Sequence, residues 1–150
     1  MSKIWIFDVD GTIADLSHRL QYVQTSPKNW KAFELGYVFD EPIQQTISVL
    51  NALRATGDKI VIVTARMDST QGREDTQAWL EHHGIKYDAI FMRKDQDYRD
   101  DAIIKEELID IIEGGLGKIF GVFDDRSHVV EMWRKRGIFV FDVNQSGKVY

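Results

Sequence analysis

Carboxylates, hydroxyls and guanidinium groups stand at three places in this sequence, each time directly after a run of apolar residues. Ile4-Trp5-Ile6-Phe7 leads into Asp8-Val9-Asp10-Gly11-Thr12, Ile60-Val61-Ile62-Val63 into Thr64-Ala65-Arg66, and Phe120-Gly121-Val122-Phe123 into Asp124-Asp125-Arg126. Asp8 and Asp10 are separated by one residue, so in extended backbone their side chains share a face, and Gly11 lets the chain turn sharply after them. Carboxylates so placed can hold a cation. The same stretch also suits an ordinary polar turn at a strand end, because Asp and Gly are common turn formers.

Such groups need strands to carry them. Four apolar residues, two Ile and two aromatic, are too short for a lone helix and suit a strand buried on both faces. Further strands are predicted over 59–64, 87–92, 118–123 and 138–143. A helix is predicted from Asp40-Glu41-Pro42, with Pro42 in its first turn, one apolar face of Ile43, Ile47, Leu50 and Leu53, and a stop at Gly57. Others are expected around 71–82, over 100–112 with Gly114-Gly115 closing it, and over 129–136. From Ile13 to Phe39 no period stands out, although Trp30, Phe33, Tyr37 and Phe39 lie among polar residues. Strands alternating with amphipathic helices imply right-handed crossovers and a mostly parallel three-layer α/β/α sandwich. Ligands of such sheets bind beyond the carboxyl ends of the strands, where strand order reverses. All three polar clusters lie at such ends, so one site can gather them.

The 150 residues are expected to form one domain, with 43% hydrophobic and 29% charged residues, an ordinary balance for a globular protein. No apolar run has the length of a membrane span and no signal sequence opens the chain, so a cytoplasmic location without membrane contact is expected. The absence of Cys excludes disulfides and thiolate metal sites. A net charge of −5 argues against a long duplex footprint but leaves room for a strand end or a nucleotide. No protein partner is evident. His82 and His83 are adjacent and point apart, while His18 and His128 lie near the motifs without a metal-ligand pattern.

Asp-Val-Asp-Gly-Thr after an apolar strand resembles the first motif of the haloacid dehalogenase-like (HAD) phosphohydrolases, and Thr64, Lys105 and Asp124 follow in that family's motif order. The resemblance implies a HAD-like fold with strand order 5-4-1-2-3. It implies that Asp8 attacks phosphorus to give an aspartyl-phosphate, that Asp10 serves as general acid and base, and that the Thr64 hydroxyl holds a phosphoryl oxygen. Lys105 would offset charge in the transition state, though by spacing alone it is as readily a solvated helix lysine. Mg²⁺ would be held by Asp8, Asp124 and the carbonyl of Asp10, with Asp125 supporting that shell. A small cap is expected within about 13–57, open enough for a polymer end. Tyr22, Trp30, Phe33, Tyr37 and Phe39 could include a stacking platform for a base, or simply pack.

A closer resemblance lies in the second half. Arg93-Lys94-Asp95-Gln96-Asp97-Tyr98-Arg99-Asp100-Asp101, then Ile103-Ile104-Lys105-Glu106-Glu107 and Phe123-Asp124-Asp125-Arg126-Ser127-His128-Val129-Val130-Glu131-Met132-Trp133-Arg134, is similar to the phosphatase domain of phage-type bifunctional polynucleotide kinases. That domain removes terminal 3′-phosphates. The similarity implies a phosphorylated nucleotide or single-stranded nucleic-acid end as substrate, with Arg19, Arg66, Arg99, Asp101 and Arg126 in its binding; the planar fork of Arg suits phosphate. Thr64-Ala65-Arg66 stands where Ser-Gly-Arg is usual, and Ala102 where a second acid is frequent. No Gly-x-x-x-x-Gly-Lys-Ser/Thr segment occurs, so a phosphatase without the kinase half is expected. Two other readings stay open: the same chemistry on a small metabolite or 5′-nucleotide, or a non-enzymatic phosphate-binding module, which gives Asp10 no task.

Overall fold

Each apolar run becomes a strand because it is flanked by amphipathic helices that cover both of its faces. The computed structural model describes residues 2–147. In chain order they form β1 (Ile4–Phe7), β2 (Ala14–Asp15), α1 (Trp30–Leu35), β3 (Glu41–Pro42), α2 (Gln44–Ala55), β4 (Lys59–Asp68) and α3 (Thr70–His82). There follow β5 (Ala89–Lys94), α4 (Asp101–Gly115), β6 (Ile119–Asp124), α5 (Ser127–Lys135) and β7 (Val140–Asp142), with single 3₁₀ stretches at Ser17–Tyr22 and Gly36–Phe39.

The main sheet has five parallel strands in the order β5-β4-β1-β6-β7. β1 lies at the centre, with Phe7 level with Ile62 on one side and Phe123 on the other. Strand order reverses at β1, as the HAD resemblance implies, so the three polar clusters emerge from adjacent strands. One face packs Ile4, Ile6, Val61 and Val122 against Ile109, Ile112, Val130 and Trp133 of α4 and α5. The other packs Phe7, Ile60 and Ile62 against Ile47, Leu50, Trp79 and Leu80 of α2 and α3. Burying side chains of this size is worth about 1.5–3 kcal/mol each, and that is what holds strand ends in register for the site.

The boundaries differ from expectation in instructive places. Glu41-Pro42 does not open the helix; it pairs antiparallel with Ala14-Asp15, and the Ile43 N–H donates to Ile13 O at 2.8 Å, so the helix begins only at Gln44. Proline lacks the N–H that an inner strand needs and fits this two-residue ribbon. α4 runs through Gly114 and Gly115, because the left-handed exit is made by Gly117, at φ +124°. β4 continues past Thr64 to Asp68 with a register irregularity between Thr64 and Met67, which turns Arg66 inward. Ser69 caps α3 by accepting the Gly72 N–H at 2.9 Å, and Asp100 caps α4 by accepting the Ala102 N–H at 2.9 Å.

Within 13–57, α2 belongs to the core layer, while 16–40 reaches the strand ends through Arg19, Tyr37 and Asp40. Among the described residues, no helix is long and apolar enough to cross a membrane.

Candidate active site

Asp8 is the first residue after β1, and its N–H donates to Phe123 O at 3.0 Å, which stitches it to β6. Carboxylate oxygens of Asp8, Asp124 and Asp125 lie within 4.8 Å of one another, all three residues buried. Lys105 enters from α4: its ammonium is 2.9 Å from Asp8 Oδ1 and 2.8 Å from Asp124 Oδ2, and the residue is buried. It is therefore no solvated surface lysine. Thr12 donates its hydroxyl to Asp8 Oδ2 at 3.2 Å, and Trp133 Nε1 donates to Asp124 Oδ2 at 3.2 Å.

Burial and the Asp124 charge push the Asp8 carboxyl well above its ordinary range, against the pull of Lys105. For Lys105, burial works against the charged form, and Asp124 and Asp8 outweigh it, so the ammonium is held above its usual value. Three carboxylates against one ammonium leave a buried excess of negative charge. The donors are hard oxygens, the chemistry that Mg²⁺ selects, and Asp8, Asp124 and Asp125 are the residues that fit it. Gly11 makes the close packing possible: it sits at φ +82°, and a Cβ there would lie 1.9 Å from Asp125 Oδ2. Gly11→Ala is expected to push Asp125 aside, lowering both thermal stability and the affinity for divalent cation in a titration followed by unfolding temperature.

Asp10 points away from this cluster, so any ligation by it falls to its main-chain carbonyl. Arg19 Nη2 donates to Asp10 Oδ1 at 2.6 Å, and Arg66 donates to the same oxygen at 2.6 Å from Nη2 and to Oδ2 at 3.1 Å from Nε. Both guanidiniums also bind Asp40, Arg19 through Nε at 2.7 Å and Nη2 at 2.6 Å, Arg66 through Nη2 at 3.2 Å. Tyr37 lies under both, 4.4 Å from the Arg19 guanidinium carbon and 3.8 Å from that of Arg66; Phe33 is 4.5 Å from Arg19. Those two aromatics thus pack on arginines. Arg19 Nη1 is buried without a hydrogen-bond partner, a donor whose cost is recovered only if something accepts from it.

Burial raises the Asp10 carboxyl, but Arg66 and Arg19 outweigh it and hold the group at about 2. Its folded value lies below its unfolded one, so ionised Asp10 stabilises the fold fully above the ordinary carboxylate range, and that contribution is lost as pH falls through about 2. Acid unfolding of Asp10→Asn is expected to be less steep over this window than that of the parent chain.

Thr64 is buried one strand over from the Asp8–Asp10 segment, its hydroxyl accepting the Arg66 N–H at 3.2 Å. Asp101, at the start of α4, binds Arg126 and also Arg93 Nη2, the latter at 2.5 Å. Arg99 lies apart: its fork is filled by Asp97 at 2.8 Å and Glu107 at 2.6 Å, and no hydrogen bond joins it to the carboxylate cluster. Sequence reasoning passed over Asp40 and Arg93. Asp40 stands before Glu-Pro and reads as a turn or helix start, and Arg93 lies inside a strand; neither carries a local signal.

A family model described as the polynucleotide kinase PNKP phosphatase domain matches residues 2–147. A chain in a solved structure of a Pnkp1/Rnl/Hen1 RNA repair complex is 32% identical, with a TM-score of 0.79 over 96% of this chain and 43% of that one. A protein of Autographa californica nuclear polyhedrosis virus, named as a bifunctional polynucleotide kinase/RNA ligase, is 29% identical over 85% of this chain and 17% of its own length. This chain thus spans less than half the length of these relatives. A haloacid dehalogenase-like hydrolase from Streptococcus pneumoniae shares the fold, with a TM-score of 0.67 over 94% of this chain and 84% of that one, at 14% identity.

Proposed function

Because this chain belongs to the family of polynucleotide kinase PNKP phosphatase domains, and is therefore a HAD-like phosphatase, we propose that it removes 3′-phosphates from nucleic-acid ends or nucleotides, with Asp8 as nucleophile. The observation that carries this reading is the cluster of Asp8, Asp124 and Asp125 at the switch point of the sheet, with Lys105 bound to the first two.

An Asp8 oxygen forms a bond to phosphorus as the bond from phosphorus to the 3′ oxygen breaks, and Asp10 gives its proton to that leaving oxygen. Water then attacks phosphorus, Asp10 takes the water's proton, and the bond to Asp8 breaks to release phosphate. Asp8, Asp124 and Asp125, with the Asp10 carbonyl, would hold Mg²⁺, which would supply positive charge to the phosphoryl group. Lys105 fixes Asp8 and neutralises charge beside it, while the Thr64 hydroxyl and Arg19 Nη1 donate to the phosphoryl oxygens.

Arg19 and Arg66 hold Asp10 ionised at rest. The incoming phosphoryl dianion competes for the same guanidiniums, which loosens their hold on Asp10 and lets it take from solvent the proton that it then gives to the leaving oxygen. Asp101 and Arg126, bound to each other, would meet the strand beyond the phosphate, Arg99 serves its own loop, and the segment 16–40 serves as a small cap on a single domain.

Chelation tests the metal requirement. Phosphate release from a 3′-phosphorylated oligonucleotide is expected to stop in excess EDTA and to return with added Mg²⁺; undiminished release in EDTA would overturn this assignment.

A further inference from the structure

The loop over 95–100, between β5 and α4, is pinned with unusual thoroughness for a surface connection. Buried Arg93 donates to four acceptors around it: Ala65 O at 2.8 Å, Asp97 O at 2.9 Å, Arg99 O at 2.5 Å and Asp101 Oδ1 at 2.5 Å. Arg99 adds a second clamp by bridging Asp97 to Glu107 of α4. Gln96 turns the chain at φ +64°, a left-handed conformation that a side-chain-bearing residue adopts at a cost and that these clamps enforce.

This fixed loop carries Tyr98 at its tip, 80% exposed, and no ring contact or hydrogen bond of its side chain is found among the described residues. The loop is tied to the site through Asp101. Asp101, three residues on, binds Arg126, the next residue after the Asp124-Asp125 pair. Lys105 lies one helical turn beyond Asp101, about 6 Å of rise, and three residues of chain add at most about 11 Å. A strand's last few nucleotides cover that span. Of the other exposed rings, Trp30 is already engaged, edge-on to Phe33 at 5.8 Å and with the Lys28 ammonium 5.5 Å from its centroid, while Phe39, next to Asp40, is 73% exposed but lies outside this clamped loop.

We propose that Tyr98 is the stacking platform for a base near the 3′-phosphate, and that this contact makes the site prefer oligonucleotide ends over small phosphate esters. The inference rests on the 3′-phosphatase reading above. An immobilised aromatic ring loses little entropy when a base stacks on it, and stacking tolerates any base because every base has a π-face. Arg126, half-exposed and bound to Asp101, which is shared with Arg93, supplies charge for the strand's phosphates.

The test compares a 3′-phosphorylated tetranucleotide with the same backbone lacking its bases. Tyr98→Ala is expected to raise KM for the tetranucleotide about 5- to 150-fold with kcat little changed. It is expected to leave the baseless backbone unaffected, while Tyr98→Phe and Tyr98→Trp retain parent KM values. In an Asp8→Asn background, binding of a tetranucleotide carrying 2-aminopurine at its 3′ end is expected to quench that base, and Tyr98→Ala to abolish the quench. Equal KM for both substrates in parent and Tyr98→Ala, or equal losses on both, would overturn the platform. A parent enzyme that hydrolyses p-nitrophenyl phosphate but neither 3′-phosphorylated substrate would instead overturn the reading on which it rests.

Discussion

Asp8→Asn is expected to lower kcat by at least about 10⁴-fold, the scale on which removal of a nucleophile acts in enzymes whose catalytic groups work as a unit. The replacement is isosteric and removes only the oxygen that attacks phosphorus. Asp8 is tied to Phe123 O through its N–H and receives Thr12 and Lys105 at its two oxygens; an amide oxygen facing the ammonium still accepts from Lys105, and the amide NH2 then donates to the Thr12 hydroxyl, which turns to accept. The fold should therefore survive, with an unfolding temperature close to that of the parent chain. One further effect separates a nucleophile from a structural acid. The carboxyl of Asp8 is raised by burial and by Asp124, so the amide relieves like-charge repulsion, and the variant without metal should be no less stable than the parent. Substantial residual turnover, or a collapsed fold, would remove Asp8 from the role of nucleophile.

Lys105→Met is the second large effect, and it acts on stability as well as rate. The ammonium is the buried cation between Asp8 and Asp124, and its loss leaves two carboxylates facing each other without it. Breaking a buried ion pair from one side costs about 3–5 kcal/mol. In a chain of this size each kcal/mol lowers the unfolding temperature by roughly 2–4 °C, so a fall on the order of 10 °C is expected. Divalent cation replaces part of the missing charge. Mg²⁺ should consequently raise the unfolding temperature of Lys105→Met more than that of the parent, while turnover stays low because the phosphoryl group has lost its neighbouring charge. An unchanged unfolding temperature in the absence of Mg²⁺ would mean that Lys105 is dispensable to this cluster.

The strands and the groups at their ends were legible because both signals are local. An apolar run of four to six residues decides a buried strand, and the polar residues that follow it in sequence stand at its end in space. Lys105 could not be told from a surface lysine on that basis, since its partners lie 97 and 19 residues away. Asp40 was invisible for the same reason, being joined to Arg19 and Arg66 across 21 and 26 residues. Pro42 misled: its tolerance in a helix's first turn and its fit to a ribbon edge give the same sequence signal, and the Ile43 bond to Ile13 O decides between them. Helix α4 passing through Gly114-Gly115 has a similar cause. Two glycines weaken a helix without ending it when the chain's left-handed turn is supplied further on, here at Gly117.

The arginines show where residue type and role part company. Arg19 and Arg66 were expected at the phosphate, and the fork geometry that suits phosphate is spent largely on Asp10 and Asp40. Their first effect is to orient and ionise Asp10, and Arg19 Nη1, without a hydrogen-bond partner among the described residues, is the donor we propose for substrate. Asp40→Asn is therefore expected to cost activity through Asp10, without touching the metal cluster.

The most direct test of the central claim is phosphate release, in Mg²⁺, from one oligonucleotide phosphorylated at its 3′ end and the same one phosphorylated at its 5′ end, with Asp8→Asn as blank. Release from the 3′-phosphorylated strand alone, absent in the blank, is the predicted result. Release from the 5′ end at an equal or greater rate, or from neither strand by an enzyme active on small phosphate esters, would contradict it.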